Sequence, residues 1–303
     1  MKVNAVRSDV VYARMVEASL KKKNDIYRYE LMMPFEKKWA CYYVPMKATT
    51  ENGYDVIMAS AMLGYLMPSK VDESQNQNIE KLSSEQLWED CQTAIEDSLR
   101  CFSKCDIELI VKNYLFTLVL AEADNPYIRL SDGYSGDGGI PGFITAILIP
   151  TEATISRLPA LLAHEANHNV RFQFIEWRND ITLGEMIVSE GLAECFVEHL
   201  YGNDMVGPWV KKTDSKMFEA YIKPVIYEGL NVKGLDNISS YLYGDEIAEL
   251  QGYEPVGLPW CAGYTCGYYL IRYYLEKTDM SIVEATILPA AEILAAVEDF
   301  WVD

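Results

Sequence analysis

Apolar positions along the chain recur at two periods, which divide it into helical and extended stretches. Near the front, Val11, Met15, Val16 and Leu20 follow helical spacing and predict a helix from about Val10 to Lys22. Residues Tyr54 to Met67 are rich in apolar side chains and predict a second, mostly buried helix. Ser83-Ser84-Glu85-Gln86 then opens an amphipathic helix to about Phe102, with Leu87, Cys91, Ala94, Ile95 and Leu99 on its inner face. In the middle of the chain the period changes. Phe116 to Ala121 and Phe143 to Ile149 are short β-rich runs. Between them SDGYSGDGGIPG carries five glycines in twelve residues. It is read as a loop whose bare backbone can approach another group closely.

Beyond Pro150 the helical spacing returns. Ser156 is read as the cap of a helix with Pro159 in its first turn, running to about Phe174 and carrying Leu161, His164, Glu165 and His168. A polar turn, Trp177 to Ile181, follows. Thr182-Leu183-Gly184-Glu185 is a capping box that starts the next helix, which ends at Gly202. Trp260 to Glu276 and Pro289 to Val297 are further helices, and Ser281 to Glu284 is a second capping box. Lys70 to Asn78 is polar and aperiodic. It divides a front portion, 1–75, from the remainder, 76–303. The pattern predicts an α+β protein, predominantly helical, with a small mixed sheet packed on the helix of His164 and a helical C-terminal lobe.

Composition narrows the classes. The chain has 303 residues, half of them hydrophobic, so it carries enough apolar surface to fold. Its net charge of −19 repels phosphate backbones and anionic lipid, which argues against nucleic acid as a partner. The N-terminus lacks the apolar run and cleavage site of a secretory signal, and no apolar stretch is long enough for membrane insertion. Seven cysteines, without a CxxC pair, fit reduced thiols in the cytoplasm. Cys101 and Cys105, one helical turn apart, are read as buried small apolar residues rather than metal ligands.

Only three histidines occur, His164, His168 and His199, and two of them belong to His-Glu-Ala-Asn-His at 164–168. On a helix, residues four apart share a face, so both imidazoles can reach one Zn²⁺. Glu165, next to the first histidine, can then take a proton from a water on the metal. A catalytic zinc needs a third protein ligand and an open position. Histidine scarcity makes that ligand a carboxylate, and the next helix offers Glu190 and Glu194, again four apart. In an antiparallel helical hairpin, level residues share a midpoint. His168 with Glu190, and His164 with Glu194, both centre on Asn179, inside the predicted turn. The two levels lie about 16 Å and 22 Å from it. Glu190 is therefore predicted as the third zinc ligand and Glu194 as the carboxylate that orients His164 through its other ring nitrogen. Glu198 lies beyond the histidines and is read as solvated. His199 points about 140° away from Glu194 and is read as a surface histidine.

This arrangement resembles the gluzincin metallopeptidases, in which HExxH is followed on a later helix by ExxxD or ExxxE. More widely, the chain resembles a bacterial family of predicted zinc-dependent proteases catalogued as a domain of unknown function. The likeness is carried by MMPFEKKW at 32–39, the glycine-rich loop leading into ITAILIP, LLAHEANHNVRF at 161–172, SEGLAECFVEHLYG at 189–202 and GYTCGYYL at 263–270. The resemblance implies a gluzincin-like, thermolysin-like core. It implies an edge strand before the HExxH helix that receives an extended peptide, here Gly139 to Pro150, with Gly138, Gly139 and Ile140 binding substrate. It also implies a tyrosine or histidine that donates to the oxyanion. Tyr264, flanked by Gly263, is chosen, and Tyr268, one turn later, is the other candidate. The reading is a zinc-dependent peptidase acting on a peptide or protein, with Glu165 as general base. A non-catalytic zinc protein that binds a peptide or partner, and a zinc hydrolase of another amide or ester, remain as alternatives.

Overall fold

The computed structural model describes residues 1–50 and 53–302. The chain forms two compact units. One comprises Met1–Asp97 with Ile110–Glu165; the other comprises Ser98–Leu109 with the chain from Ala166 on. The polar stretch at 70–78 lies inside the first unit rather than at its border. It is built into two short 3-10 turns and the start of the helix Asn76–Leu82.

The first unit is built on a four-stranded mixed sheet of β1 (Lys2–Ala5), β2 (Asn113–Leu120), β3 (Tyr134–Asp137) and β4 (Phe143–Leu148), in the order β1-β2-β4-β3. β1, β2 and β4 run parallel, and β3 is antiparallel to β4. The apolar runs predicted as strands are β2 and β4, buried along most of their length. The glycine-rich segment is not a plain loop: Tyr134–Asp137 pairs with Thr145–Leu148, so the segment is a β-hairpin whose connection is Gly138–Gly142. Its signal was hidden because YSGD lacks the β-branched residues that mark strands. The edge strand on this side of the sheet is therefore β3, with β1 at the opposite edge. Gly139 to Pro150 is not an edge strand: β4 is paired on both sides, and Gly138, Gly139 and Ile140 form the turn.

Helices follow the sequence pattern with local differences. The expected helix of residues 10–22 is two helices, α1 (Ser8–Val16) and α2 (Leu20–Ile26), with Ser19 in an extended conformation before the second. α3 is Glu36–Cys41. α4 (Val56–Met62) is shorter than the expected 54–67, and Met58, Met62 and Leu63 are exposed, so this segment is only partly buried. Gly64, with φ +86°, ends it. α5 (Glu85–Lys104) matches the amphipathic pattern. At its end Cys101 is half-buried and Cys105 exposed, against the expectation of buried apolar residues.

α6 (Glu152–Phe174) starts earlier than expected. Thr151 and Thr154 bond reciprocally at its start, and Pro159 stands inside the helix rather than in its first turn. The helix continues through Pro159 although proline removes one amide donor. In the second unit, α7 (Leu183–Tyr201) begins with the predicted Thr182–Glu185 capping box and ends at Gly202, φ +83°. α8 (Ala262–Thr278) packs along α7 through two glycines. A Cβ on Gly191 would clash with the carbonyl of Gly267, and one on Gly267 with the carbonyl of Ile187. The Ser281 capping box opens the short helix Ile282–Thr286, as expected. Among the described residues no helix is long and apolar enough to cross a membrane.

Candidate metal centre

α6 carries His164, Glu165 and His168 because helical period places positions four apart on one face. α7 supplies Glu190. One ligand atom from each of His164, His168 and Glu190 lies within 4.8 Å of the others, and all three residues are buried. Nε2 of His168 stands 3.2 Å from Oε2 of Glu190. Zinc–ligand bonds of about 2.0–2.1 Å in a tetrahedron put neighbouring ligand atoms about 3.3 Å apart, so this spacing suits a shared ion. Two imidazoles and a carboxylate are also the donor set of a zinc site with one position left open. Among the described residues this is the one such group of histidine, cysteine and carboxylate side chains.

The partners around the ligands fix their orientation. Nδ1 of His168 lies 3.2 Å from the Ser189 hydroxyl, which leaves Nε2 for the metal. Glu194 is buried and accepts hydrogen bonds from the segment that follows α7. Gly207 N–H donates to it at 2.8 Å and the Trp209 indole N–H at 2.5 Å. The Trp209 ring lies 6.2 Å from that of Tyr264, which also meets Tyr243 at 5.9 Å. Tyr264 is thus a buried member of an aromatic cluster that begins at the donor to Glu194. Tyr268 is buried too, and its hydroxyl accepts from Asn203 Nδ2 at 3.2 Å. Burial pushes the Cys261 thiol well above its ordinary value, and the Glu190 and Glu194 carboxylates add to the rise. The thiol therefore stays protonated. His199 is exposed, and Glu198 is half-buried with Arg272 at 3.8 Å, a salt bridge the solvated reading did not anticipate.

Glu165 is buried against β3. A Cβ on Gly136 would lie 2.6 Å from Cγ and Cδ of Glu165 and closer still to Oε1. A Cβ on Gly138 would lie 2.8 Å from Cβ of Glu165 and closer still to its carbonyl oxygen. Gly136 and Gly138 carry no side chain because one at either position would occupy the place of Glu165. The expectation of close backbone approach is met by this contact, although the sequence did not indicate what was approached. Of the predicted substrate residues, Gly138 adjoins Glu165, and Gly139 faces the Tyr42 hydroxyl at 4.0 Å from an added Cβ. Ser189, Trp209 and Gly136 were not singled out from sequence. Trp209 had no signal, since no spacing rule ties it to Glu194. Gly136 had one, the glycine density around it.

Known proteins add to this geometry. The chain is 37% identical over 285 residues to the "Uncharacterized protein YjfC" of Bacillus subtilis (strain 168), covering 94% of each chain. It is 24% identical over 152 residues to the "Uncharacterized protein YjaZ" of the same organism, covering 50% of this chain and 54% of that one. No solved structure matches it. Residues 87–295, which hold His164, His168, Glu190 and Tyr264, match the family described as "Predicted Zn-dependent protease (DUF2268)", and the chain belongs to that family.

Proposed function

We propose that the protein is a zinc-dependent peptidase of the gluzincin type, with a peptide or protein as substrate. The observation that carries this reading is the buried convergence of His164, His168 and Glu190, with Glu165 adjacent in the chain. These three residues would hold one Zn²⁺. When bound, the ion would acidify a water and polarise the scissile carbonyl. Glu165 accepts the proton of the attacking water and then delivers it to the leaving amine nitrogen as the C–N bond breaks. Gly136 and Gly138 leave room for that carboxylate and bring bare backbone beside it.

Glu194 is assigned to orienting His164, a role supported by its buried position and its two firm donors. Tyr264 is assigned to donate to the oxyanion. It is preferred to Tyr268 because the Tyr268 hydroxyl already gives its hydrogen bond to the Glu198 carboxylate. An extended substrate is assigned to the edge strand β3 and the adjoining Gly138, Gly139 and Ile140, where main-chain pairing can add a strand. The seven cysteines, none in a disulfide, favour a reduced compartment such as the cytoplasm. The experiment is metal analysis with turnover of a fluorogenic peptide library. One zinc per chain and cleavage are expected, and Glu165→Gln should keep the zinc and lose about 10²–10⁴-fold in turnover. A chain without zinc, or undiminished turnover by Glu165→Gln, removes the reading.

A further inference from the structure

The segment Met32–Trp39 has no part in the reaction above, yet it carries a buried cation. Lys38, on α3, is only 1% exposed. Its Nζ lies 2.8 Å from Oδ2 of Asp137, 3.3 Å from the Thr145 hydroxyl and 3.4 Å from the Tyr65 hydroxyl. The Tyr42 hydroxyl donates to Oδ1 of the same Asp137 at 3.3 Å. Asp137 and Thr145 are directly opposed on β3 and β4, so their side chains share one face of the sheet. Gly136 is opposed to Ala146, and by strand alternation it belongs to the other face, the face that Glu165 packs against.

Lys38 therefore grips β3 from one side, and the glycines press on Glu165 from the other. β3 is a four-residue edge strand with a single hydrogen-bonded neighbour, so its own ladder constrains its height little. We propose that the ion pair of the buried Lys38 with the partly buried Asp137 is a positioning device for Glu165: by fixing β3, it fixes the surface on which the proton-transferring carboxylate rests. Lys38 and Asp137 are positioning residues, acting through Gly136. The proposal rests on the reading of Glu165 as general base.

Removing one partner would leave a buried unpaired charge and can unfold the chain. The test therefore uses Lys38→Met/Asp137→Asn, which removes both charges at similar volume, and Gly136→Ala, which displaces Glu165 from the opposite side. Zinc content, thermal midpoint, amide exchange of residues 134–138, and kcat and KM on the fastest-cleaved peptide of the library are measured. In the double variant one zinc per chain and an unchanged KM are expected. kcat should fall about 10- to 100-fold, as it does when a reacting group is misplaced, and exchange of 134–138 should quicken. Gly136→Ala should show the same split between kcat and KM. Unchanged kcat with quickened exchange, or unchanged exchange, overturns the proposal. Should the unmodified protein cleave no peptide, the peptidase reading fails by itself. A crystal structure of the double variant then decides the clamp: a Glu165 carboxylate shifted away from residue 136 supports it, and one left in place overturns it.

Discussion

His168 is held at both ring nitrogens. Ser189 faces Nδ1, and Glu190 stands opposite Nε2. An imidazole fixed in this way needs no reorientation when an ion arrives, which is what outer hydrogen bonds contribute to metal affinity. Ser189→Ala should therefore weaken zinc about 10- to 100-fold while leaving the helical circular dichroism unchanged, read by competition with a chromophoric chelator. Undiminished affinity would mean that the hydroxyl has no hold on the ring. The Trp209 indole acts similarly on Glu194, through a charge-assisted hydrogen bond. Trp209→Phe should lower stability by about 1.5–3 kcal/mol, measured by urea unfolding, because a buried carboxylate loses a donor. The contrast between these residues explains what was legible. His164 and His168 could be read because a period of 3.6 dictates their common face. Glu190 could be read because two regular helices and one short turn leave a single level for it. Trp209 could not, because its approach to Glu194 depends on the course of residues 202–208, which no periodicity governs.

Among the elements, α7, which carries Glu190, is set in place by its close packing on α8. They touch backbone to backbone: Gly191 follows Glu190 directly and meets the carbonyl of Gly267, and Gly267 meets Ile187. Small residues at a helix crossing allow this approach, and a methyl group there must move an entire helix. Gly191→Ala should therefore destabilise the protein by about 1–3 kcal/mol, the range for overpacking, although alanine favours helix. It should also reduce zinc content, since Glu190 shares the displaced turn. A thermal midpoint at or above that of the unmodified protein would show that α8 has room to yield. The capping boxes at Thr182 and Ser281 formed as predicted, because they are decided by four local residues. β3 was missed because its strand state comes from pairing with β4, a contact outside its own four residues. The start of α6 lies five residues before the one expected from a Ser156 cap, because Thr151 and Thr154 close its first turn.

Over the whole molecule, the charge of −19 and the buried phenols act together at high pH. Tyr12, Tyr27 and Tyr65 are buried, and desolvation raises the pKa of each above its ordinary value of 10. Lys38 is pulled down by burial, but the Asp137 carboxylate and the Tyr65 hydroxyl outweigh this and raise it above 10.5. Each of these groups holds its proton more tightly folded than unfolded. Their contribution to stability is thus fully present below about pH 10 and declines as pH rises above it toward the folded values. Ionisation also adds negative charge to a chain that is already acidic, and self-repulsion acts in the same direction. A base-induced transition is therefore expected above about pH 10. In it the exposed phenols titrate first, and the buried ones ionise only together with loss of helical signal. Absorbance at about 295 nm, where phenolate absorbs, followed beside circular dichroism resolves the two phases. If all 21 tyrosines titrated in one smooth step while the helical signal stayed constant, the buried phenols would not be coupled to folding. Lys38→Met/Asp137→Asn should begin this transition at a different pH from the unmodified protein, because it deletes the one cation that stands beside Tyr65 on the described hydrogen-bond network. Lys38 holds the Tyr65 phenol down more than Asp137 pushes it up, so with both removed the phenol rises further. Its own share of the alkaline loss then moves to higher pH, while the share contributed by the Lys38 ammonium disappears.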